Sequence, residues 1–193
     1  MNTESLRKIN DLFVTECICY PRSGHHALKE VLAAYFGERL NYCEMYRDPV
    51  EKRIGPDSQT NYQKNHDFEL NTPVMDRKYI VQVRDPIDAI VSRWNLELRS
   101  GEAKENEWDF RNSASDWSHY YSSFCDRWLW TDHQHRLVVR YLDLVTAPFR
   151  TVAHVIQFMQ GFQNFDASKL NAALALFPIT PQRPNTIPYI TQT

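Results

Sequence analysis

The sequence lacks several features that would place it in a specialised class of protein. No apolar run approaches the roughly 20 residues that span a bilayer, and the first residues contain no apolar segment typical of a signal peptide. The four cysteines form no CxxC pair, so reduced, partly buried thiols are expected, and no metal-ligand cluster is evident. We therefore predict a cytoplasmic protein without a membrane span.

An excess of one charge and internal repeats are also missing. The net charge is −2, so the chain as a whole does not indicate a nucleic-acid partner. With 193 residues, 42% of them hydrophobic, it is long enough to bury a core as one domain. We predict a single α/β domain over residues 1–177. Residues 178–193 contain four prolines and little periodicity, and are predicted to be a surface arm or a disordered tail.

Short apolar runs alternate with helical patterns along the chain. The runs over residues 12–19, 78–83 and 137–141 are predicted to be buried strands. Residues 41–76 are predicted to be polar and irregular apart from a short strand near His66, and residues 99–113 to be a mobile loop or lid. The alternation predicts a parallel sheet covered by helices on both faces, with ligands at the carboxyl ends of its strands.

The stretch CYPRSGHHAL, which follows the first predicted strand, has the features of an anion site. A turn containing Pro21 and Gly24 joins the strand to an amphipathic helix that ends at Gly37. Free N–H groups and the helix dipole favour an anion at such a turn, and Arg22 adds a forked positive charge. The stretch has one glycine and no Gly-Lys-Ser/Thr ending, so a triphosphate loop is disfavoured. An ordinary turn between strand and helix is the alternative.

Four stretches resemble, in the same order along the chain, the motifs of sulfotransferases that use 3′-phosphoadenosine 5′-phosphosulfate (PAPS). YPRSGHHAL resembles their 5′-phosphosulfate loop, usually written YPKSGTTW, and YQKNHDF resembles the Lys-Thr/Ser-His segment that supplies a base. VQVRDPIDAIVSRW resembles the 3′-phosphate motif, and VVRYLDLVTAP is similar to their Arg-Tyr-Glu-Asp-Leu segment. The resemblance implies a three-layer, P-loop-NTPase-like fold with a central parallel sheet flanked by helices. It also implies sulfuryl transfer from PAPS to a hydroxyl or amine of a small-molecule or carbohydrate acceptor.

The resemblance further implies roles for individual residues. Arg22 stands where the family usually has lysine, and would bind the 5′-phosphate and stabilise the transferring group. Arg84 and Ser92 would hold the 3′-phosphate, and His66 would be the general base. No metal is expected, because cationic side chains would stabilise the charge. The implied catalytic set is Arg22, His66 and Ser92, and the implied phosphosulfate cradle is Arg22, Ser23, Gly24, His25 and His26.

The sequence also departs from the family pattern. Ala27 replaces the tryptophan that stacks on adenine in cytosolic members. His26 occupies a threonine position, and His26, Asp67 and Glu44 are rivals of His66 as the base. Two other functions stay open: a small-molecule P-loop kinase that depends on ATP and Mg²⁺, and a degenerate member that binds the nucleotide without turnover. The sequence does not identify the acceptor or the oligomeric state.

Overall fold

The structure is a computed structural model that describes residues 6–71 and 73–181. Within these two ranges the chain forms seven strands and six α-helices. The strands are β1 (Lys8–Ile9), β2 (Leu12–Phe13), β3 (Thr15–Cys19), β4 (Tyr42–Glu44), β5 (Tyr62–Asn65), β6 (Lys78–Val83) and β7 (Arg136–Arg140). The helices are α1 (His25–Phe36), α2 (Pro86–Ser100), α3 (Glu107–Cys125), α4 (Tyr141–Thr146), α5 (Pro148–Gln160) and α6 (Ala167–Leu176).

Five parallel strands form the central sheet in the order β4-β5-β3-β6-β7. β3 lies in the middle, pairs with β5 on one side and β6 on the other, and has every residue buried. The strand predicted over residues 12–19 is divided in the structure: β2 pairs with β1 in a separate two-stranded sheet, and only β3 enters the central sheet. Burial on both faces explains why apolar residues predominate in the run, although Thr15 and Glu16 of β3 are buried polar residues. The strands predicted over 78–83 and 137–141 correspond to β6 and β7.

Helices cover both faces of this sheet and enclose two cores. On one face, Leu28 of α1, Val152 of α5 and Leu170 of α6 belong to a single buried cluster. On the other face, Phe124 of α3 and Trp128 in the π-helical turn that follows it pack against the sheet. The predicted three-layer α/β fold is confirmed. None of the described helices combines the length and the apolar composition needed to cross a bilayer.

Two local predictions are wrong. The irregular region over residues 41–76 contains β4, which forms the edge of the sheet. The mobile loop predicted over residues 99–113 is mostly helical, because α2 continues to Ser100 and α3 begins at Glu107. Asn106 starts α3 by accepting a hydrogen bond from the Asp109 amide at 2.8 Å. The polar residues that suggested a loop lie in the connection over residues 101–106 and on the first turns of α3.

The segment after α6 turns back toward the sheet. Ile179 is 8% exposed and belongs to the core on the α1 face. The rest of the predicted tail, residues 182–193, lies outside the described residues. The division at residue 177 into a domain and a tail stays a prediction.

Candidate active site

The carboxyl ends of β5, β3 and β6 lie side by side, because these strands are neighbours and parallel. The turn after β3, His66 after β5 and Arg84 after β6 therefore start from one edge of the sheet. A cavity of about 590 Å³ opens at this edge. Six of the predicted site residues line it: Arg22, Ser23, Gly24, His25, His26 and His66.

The turn after β3 has an unusual backbone at Arg22. The Ser23 amide donates a hydrogen bond to the Tyr20 carbonyl at 3.2 Å and closes a four-residue turn. Pro21 and Arg22 are its central residues, and Arg22 has φ of +69°. Proline followed by a residue with positive φ is the pattern of a type II turn, where glycine is usual. Arginine at this position costs about 1 kcal/mol or more of backbone strain, which is frequent at functional sites.

Gly24 begins α1 and leaves the helix N-terminus open. Its φ of +89° is left-handed, and no side chain caps the helix there. The N–H groups of the first turn are therefore free to bind an anion. A Cβ atom at position 24 would lie 2.8 Å from the Tyr141 ring, so glycine is required by space as well as by backbone conformation.

The substitution Gly24→Ala is expected to lower the free energy of unfolding by more than Gly101→Ala does. Both glycines have positive φ, but a Cβ at Gly101 would meet nothing within 4 Å. The control therefore reports backbone strain alone, about 1 to 2 kcal/mol. The additional loss in Gly24→Ala reports the contact with Tyr141. Urea unfolding of both variants measures the difference, and equal losses would show that the Tyr141 contact is unimportant.

Arg22 connects the turn with helix α2 and with the residue that follows β6. Its Nε donates a hydrogen bond to Ser92 Oγ at 2.9 Å, and Ser92 is buried on α2. Nη1 of Arg84 lies 3.5 Å from the Arg22 carbonyl oxygen. Arg84 is itself buried, with its guanidinium 4.3 Å from the centre of the Tyr141 ring. The structure thus joins the three residues that were predicted to hold the two ends of one nucleotide.

Several arginines lie around the turn, although Arg84 pairs with Asp88, and Arg93 pairs with Glu97 and Glu102. Burial lowers the pKa of Arg22, and the charges of Arg99, Arg84 and Arg93 lower it further. Among the described residues, neither Ser23 Oγ nor Arg84 Nε has a hydrogen-bond partner, although both atoms are buried. Buried polar atoms are normally paired. Clustered guanidinium groups and unpaired donors are the properties expected of a site that binds an anion.

His66 is held in one orientation by its surroundings. Its Nδ1 lies 2.7 Å from the Cys19 carbonyl oxygen, and the Tyr120 hydroxyl donates to the His66 carbonyl. Since a carbonyl only accepts hydrogen bonds, Nδ1 carries a proton. In the neutral imidazole, Nε2 is then the free acceptor. The ring lies nearly parallel to that of Tyr46, with 6.2 Å between their centres.

The two histidines of the turn have different environments. His25 is buried, with Nδ1 3.0 Å from Gln82 Oε1 and Nε2 3.3 Å from the Tyr42 hydroxyl, and burial lowers its pKa. Its side chain is therefore engaged by the protein. The side chain of His26 is 87% exposed and lies 3.6 Å from Glu30. In residues 6–71 and 73–181, no group of three or more His, Cys, Asp or Glu side chains could hold a metal ion.

The structure adds two polar residues for which no role was predicted. Lys64 lies two residues before His66, lines the same cavity, and contacts Glu44 at 2.5 Å. Alternation along a strand places Lys64 and the position of His66 on one face, so the signal was present in YQKNHDF. Gln82 is a fully buried amide in an otherwise apolar strand. A single polar residue within an apolar strand is the sequence feature that could have identified Gln82 as a candidate.

Aromatic side chains form the cavity wall next to His66. Tyr46, Phe68 and Trp117 all line it, and the rings of Phe68 and Trp117 are 6.3 Å apart. The aromatic side chains of α3 and of the turn that follows it are thus divided between core and site. Phe124 and Trp128 are core residues, whereas Trp117 packs against that core and also lines the cavity.

Fold and site together define an α/β protein in which a turn with an uncapped helix start, a second arginine and a histidine share one sheet edge. The chain belongs to the sulfotransferase family, because the family model described as "Sulfotransferase domain" matches residues 17–171. Membership supports a transferase, with sulfuryl transfer as the general reaction.

One solved structure that is similar to the chain is a sulfotransferase from Alicyclobacillus acidocaldarius. The two chains share 14% sequence identity with a TM-score of 0.47, and the match covers 89% of this chain and 92% of that chain. Among curated proteins, none matches the sequence.

Proposed function

We propose that the protein transfers the sulfuryl group of PAPS to a hydroxyl or amine of a small-molecule or carbohydrate acceptor. The observation that carries this proposal is the connection between the two phosphate-binding elements. Arg22, in the turn after β3, donates to Ser92 and lies beside Arg84 after β6. PAPS carries an anionic group at each end of its ribose, one for each element.

The residues present fit such a nucleotide. Ser23 Oγ and Arg84 Nε are buried donors that lack a partner among the described residues. The uncapped first turn of α1 offers N–H groups beside them. Burial and then the repulsion of Arg99, Arg84 and Arg93 lower the pKa of Arg22, and a bound anion would offset both effects. When bound, PAPS supplies a sulfuryl group that is activated by its phosphate leaving group.

In this proposal, His66 takes the proton of the acceptor. Nδ1 keeps its hydrogen bond to the Cys19 carbonyl at 2.7 Å, so the proton arrives at Nε2. Arg22 binds the 5′-phosphate and stabilises the charge that develops on the leaving oxygen. Lys64, which lines the same cavity, adds a second positive charge on the side of His66. The protein mainly positions the reacting groups and stabilises charge, as in phosphoryl transfer.

The proposed acceptor site is the part of the cavity that adjoins His66. Its aromatic wall of Tyr46, Phe68 and Trp117 suits a flat, apolar face. Glu44 and Lys64 also line the cavity and offer hydrogen bonds to hydroxyl groups. Both a sugar ring and a phenolic or alcohol metabolite combine these two properties.

The first experiment is calorimetric titration with 3′-phosphoadenosine 5′-phosphate (PAP), the nucleotide product. We expect a dissociation constant of the order of micromolar. Arg84→Ala should weaken binding about tenfold to a hundredfold, since charged hydrogen bonds are worth about 1.5–3 kcal/mol. Arg111→Ala is the matched control, because this arginine is exposed and paired with Glu107 on α3. It should bind PAP as the wild type does.

Other outcomes distinguish the alternatives. Binding of ATP with Mg²⁺ in place of PAP would contradict the proposal and favour a kinase. Absence of binding by either nucleotide would favour a degenerate site, and Ala27, at the adenine-stacking position, would be the first residue to change. If PAP binds, turnover of PAPS with a panel of hydroxyl and amine acceptors tests the transfer itself.

A further inference from the structure

Two thiols lie directly beneath the candidate active site. Cys17 and Cys19 are two residues apart on β3, so their side chains share a face of the sheet. They are 0% and 1% exposed, and both are free thiols. The proposed transfer reaction uses neither side chain.

Cys19 contacts His66 through two different atoms. Its carbonyl oxygen accepts the hydrogen bond from His66 Nδ1 at 2.7 Å, and its Sγ lies 3.5 Å from the same nitrogen. The proton on Nδ1 therefore has a carbonyl oxygen and a sulfur atom within reach. A negative charge on a sulfur at this distance, in a buried setting, stabilises the positively charged form of the imidazole.

Cys17 has different partners, although it shares the face. Its thiol donates to Gln82 Oε1 at 3.2 Å and lies 3.3 Å from His25 Nδ1. Burial raises the pKa of Cys17, and a negative charge on the neighbouring Cys19 raises it further. Burial also opposes the ionisation of Cys19. The charge of His66 and its hydrogen bond with the sulfur favour the thiolate, so the pKa of Cys19 lies below its usual range. Cys19 is therefore the thiol of the pair that ionises.

We propose that Cys19 is a positioning residue that controls the protonation of His66 by placing a thiolate beside Nδ1. The inference rests on the proposed role of His66 as the general base. A thiolate–imidazolium pair holds the proton on His66 more firmly than an isolated histidine would. The base consequently becomes free only at a higher pH than it would without the thiol.

The other groups around His66 act more weakly or in the opposite direction. Burial is the largest influence and lowers the pKa of His66, and the charge of Lys64 also lowers it. The charge and hydrogen bonds of Cys19 outweigh these effects and raise the pKa above its ordinary value. Five further titratable groups lie near the ring. They are His25 on α1, Glu44 on β4, Tyr46 in the loop after β4, Asp67 next to His66 in the chain, and Tyr120 on α3.

The test is an NMR titration of the His66 ring in the wild type, Cys19→Ser and Cys19→Ala. Serine keeps a similar shape without an acidic thiol, and alanine provides a second variant if serine impairs folding. We expect the pKa of His66 to fall by about one pH unit in both variants. Cys43→Ser is the matched control, because Cys43 is a buried thiol on the edge strand β4. It should leave the His66 titration unchanged.

The pH dependence of turnover gives a second readout. A general base must be neutral, so activity is lost as the pH falls through the pKa of His66. Because Cys19 raises that pKa, the wild type should lose activity at a higher pH than Cys19→Ser. The acidic limb of the profile should therefore move to lower pH in the variant. A purely structural role would lower the plateau without moving this limb, and that result would overturn the proposal.

The outcomes separate this inference from the proposed function. An unchanged His66 titration in both Cys19 variants would overturn the inference, even with normal PAP binding and normal transfer. A wild type that neither binds PAP nor transfers sulfuryl groups would overturn the proposed function. In that case the shifted titration would still uphold the coupling of Cys19 to His66.

Discussion

The substitution His66→Ala is expected to lower turnover by a factor of about 10² to 10⁴, with PAP bound as tightly as by the wild type. The reason is geometric. The 2.7 Å hydrogen bond from Nδ1 to the Cys19 carbonyl fixes the ring and leaves Nε2 to accept the proton. Alanine removes that acceptor without touching Arg84 or Ser92. Steady-state rates with PAPS and an acceptor found by screening, beside calorimetry with PAP, measure the two effects separately.

His154→Ala is a suitable control for this substitution, because His154 is exposed on α5. It should retain the activity of the wild type. Full turnover in His66→Ala would contradict the assignment and direct attention to His26, Glu44 or Asp67. Asp67 is the least suited of the three, since its carboxylate already accepts hydrogen bonds from Asn71 and Trp128.

The second large effect is expected for Arg22→Ala, which should lower kcat/KM by a factor of about 10² to 10³. Arg22 is half-buried in the turn, donates to Ser92, and lies two residues before Gly24, the N-cap of α1. In the proposed mechanism, its charge stabilises the leaving group where water is partly excluded. Arg22→Lys should recover only part of the loss, because lysine offers a point charge rather than a planar fork.

The matched control for Arg22 is Arg150→Ala, which removes an exposed arginine from α5. Turnover should stay at the wild-type level there, since exposed charges have small and screened effects. Equal losses in Arg22→Ala and Arg150→Ala would show that net charge, rather than the position of Arg22, is responsible. Activity of Arg22→Ala at the wild-type level would remove Arg22 from the mechanism.

The sequence predicted those parts of the fold whose signals are local. β3 and β6 are short apolar runs, and Asp85 followed by Pro86 marks the start of α2, where Asp85 accepts hydrogen bonds from two amides. The turn after β3 was predicted as an anion site from the proline, the glycine and Arg22. Because parallel neighbours end at one edge of the sheet, the grouping of Arg22, His66 and Arg84 could also be predicted.

The rest depends on contacts between distant parts of the chain. β4 has three residues, and only its pairing with β5 identifies it as a strand. The burial of His25 depends on Gln82, which is 57 residues away in the sequence. The contact between Cys19 and His66 follows from the pairing of β3 with β5. No window of the sequence contains these partners, so periodicity and propensity could not predict them.

The Arg22–Ser92 contact spans 70 residues of sequence, and the Arg22–Arg84 contact spans 62. Contacts of this length close late, because large loops must lose their conformational freedom before such contacts form. Binding competence should therefore appear in the same cooperative step that completes the parallel sheet. A fragment that ends before α2 would contain the residues of the turn after β3. It would lack Ser92, the partner of Arg22, and would therefore not form the complete site. If PAP binds as proposed, recovery of its binding during refolding would report that the sheet is complete.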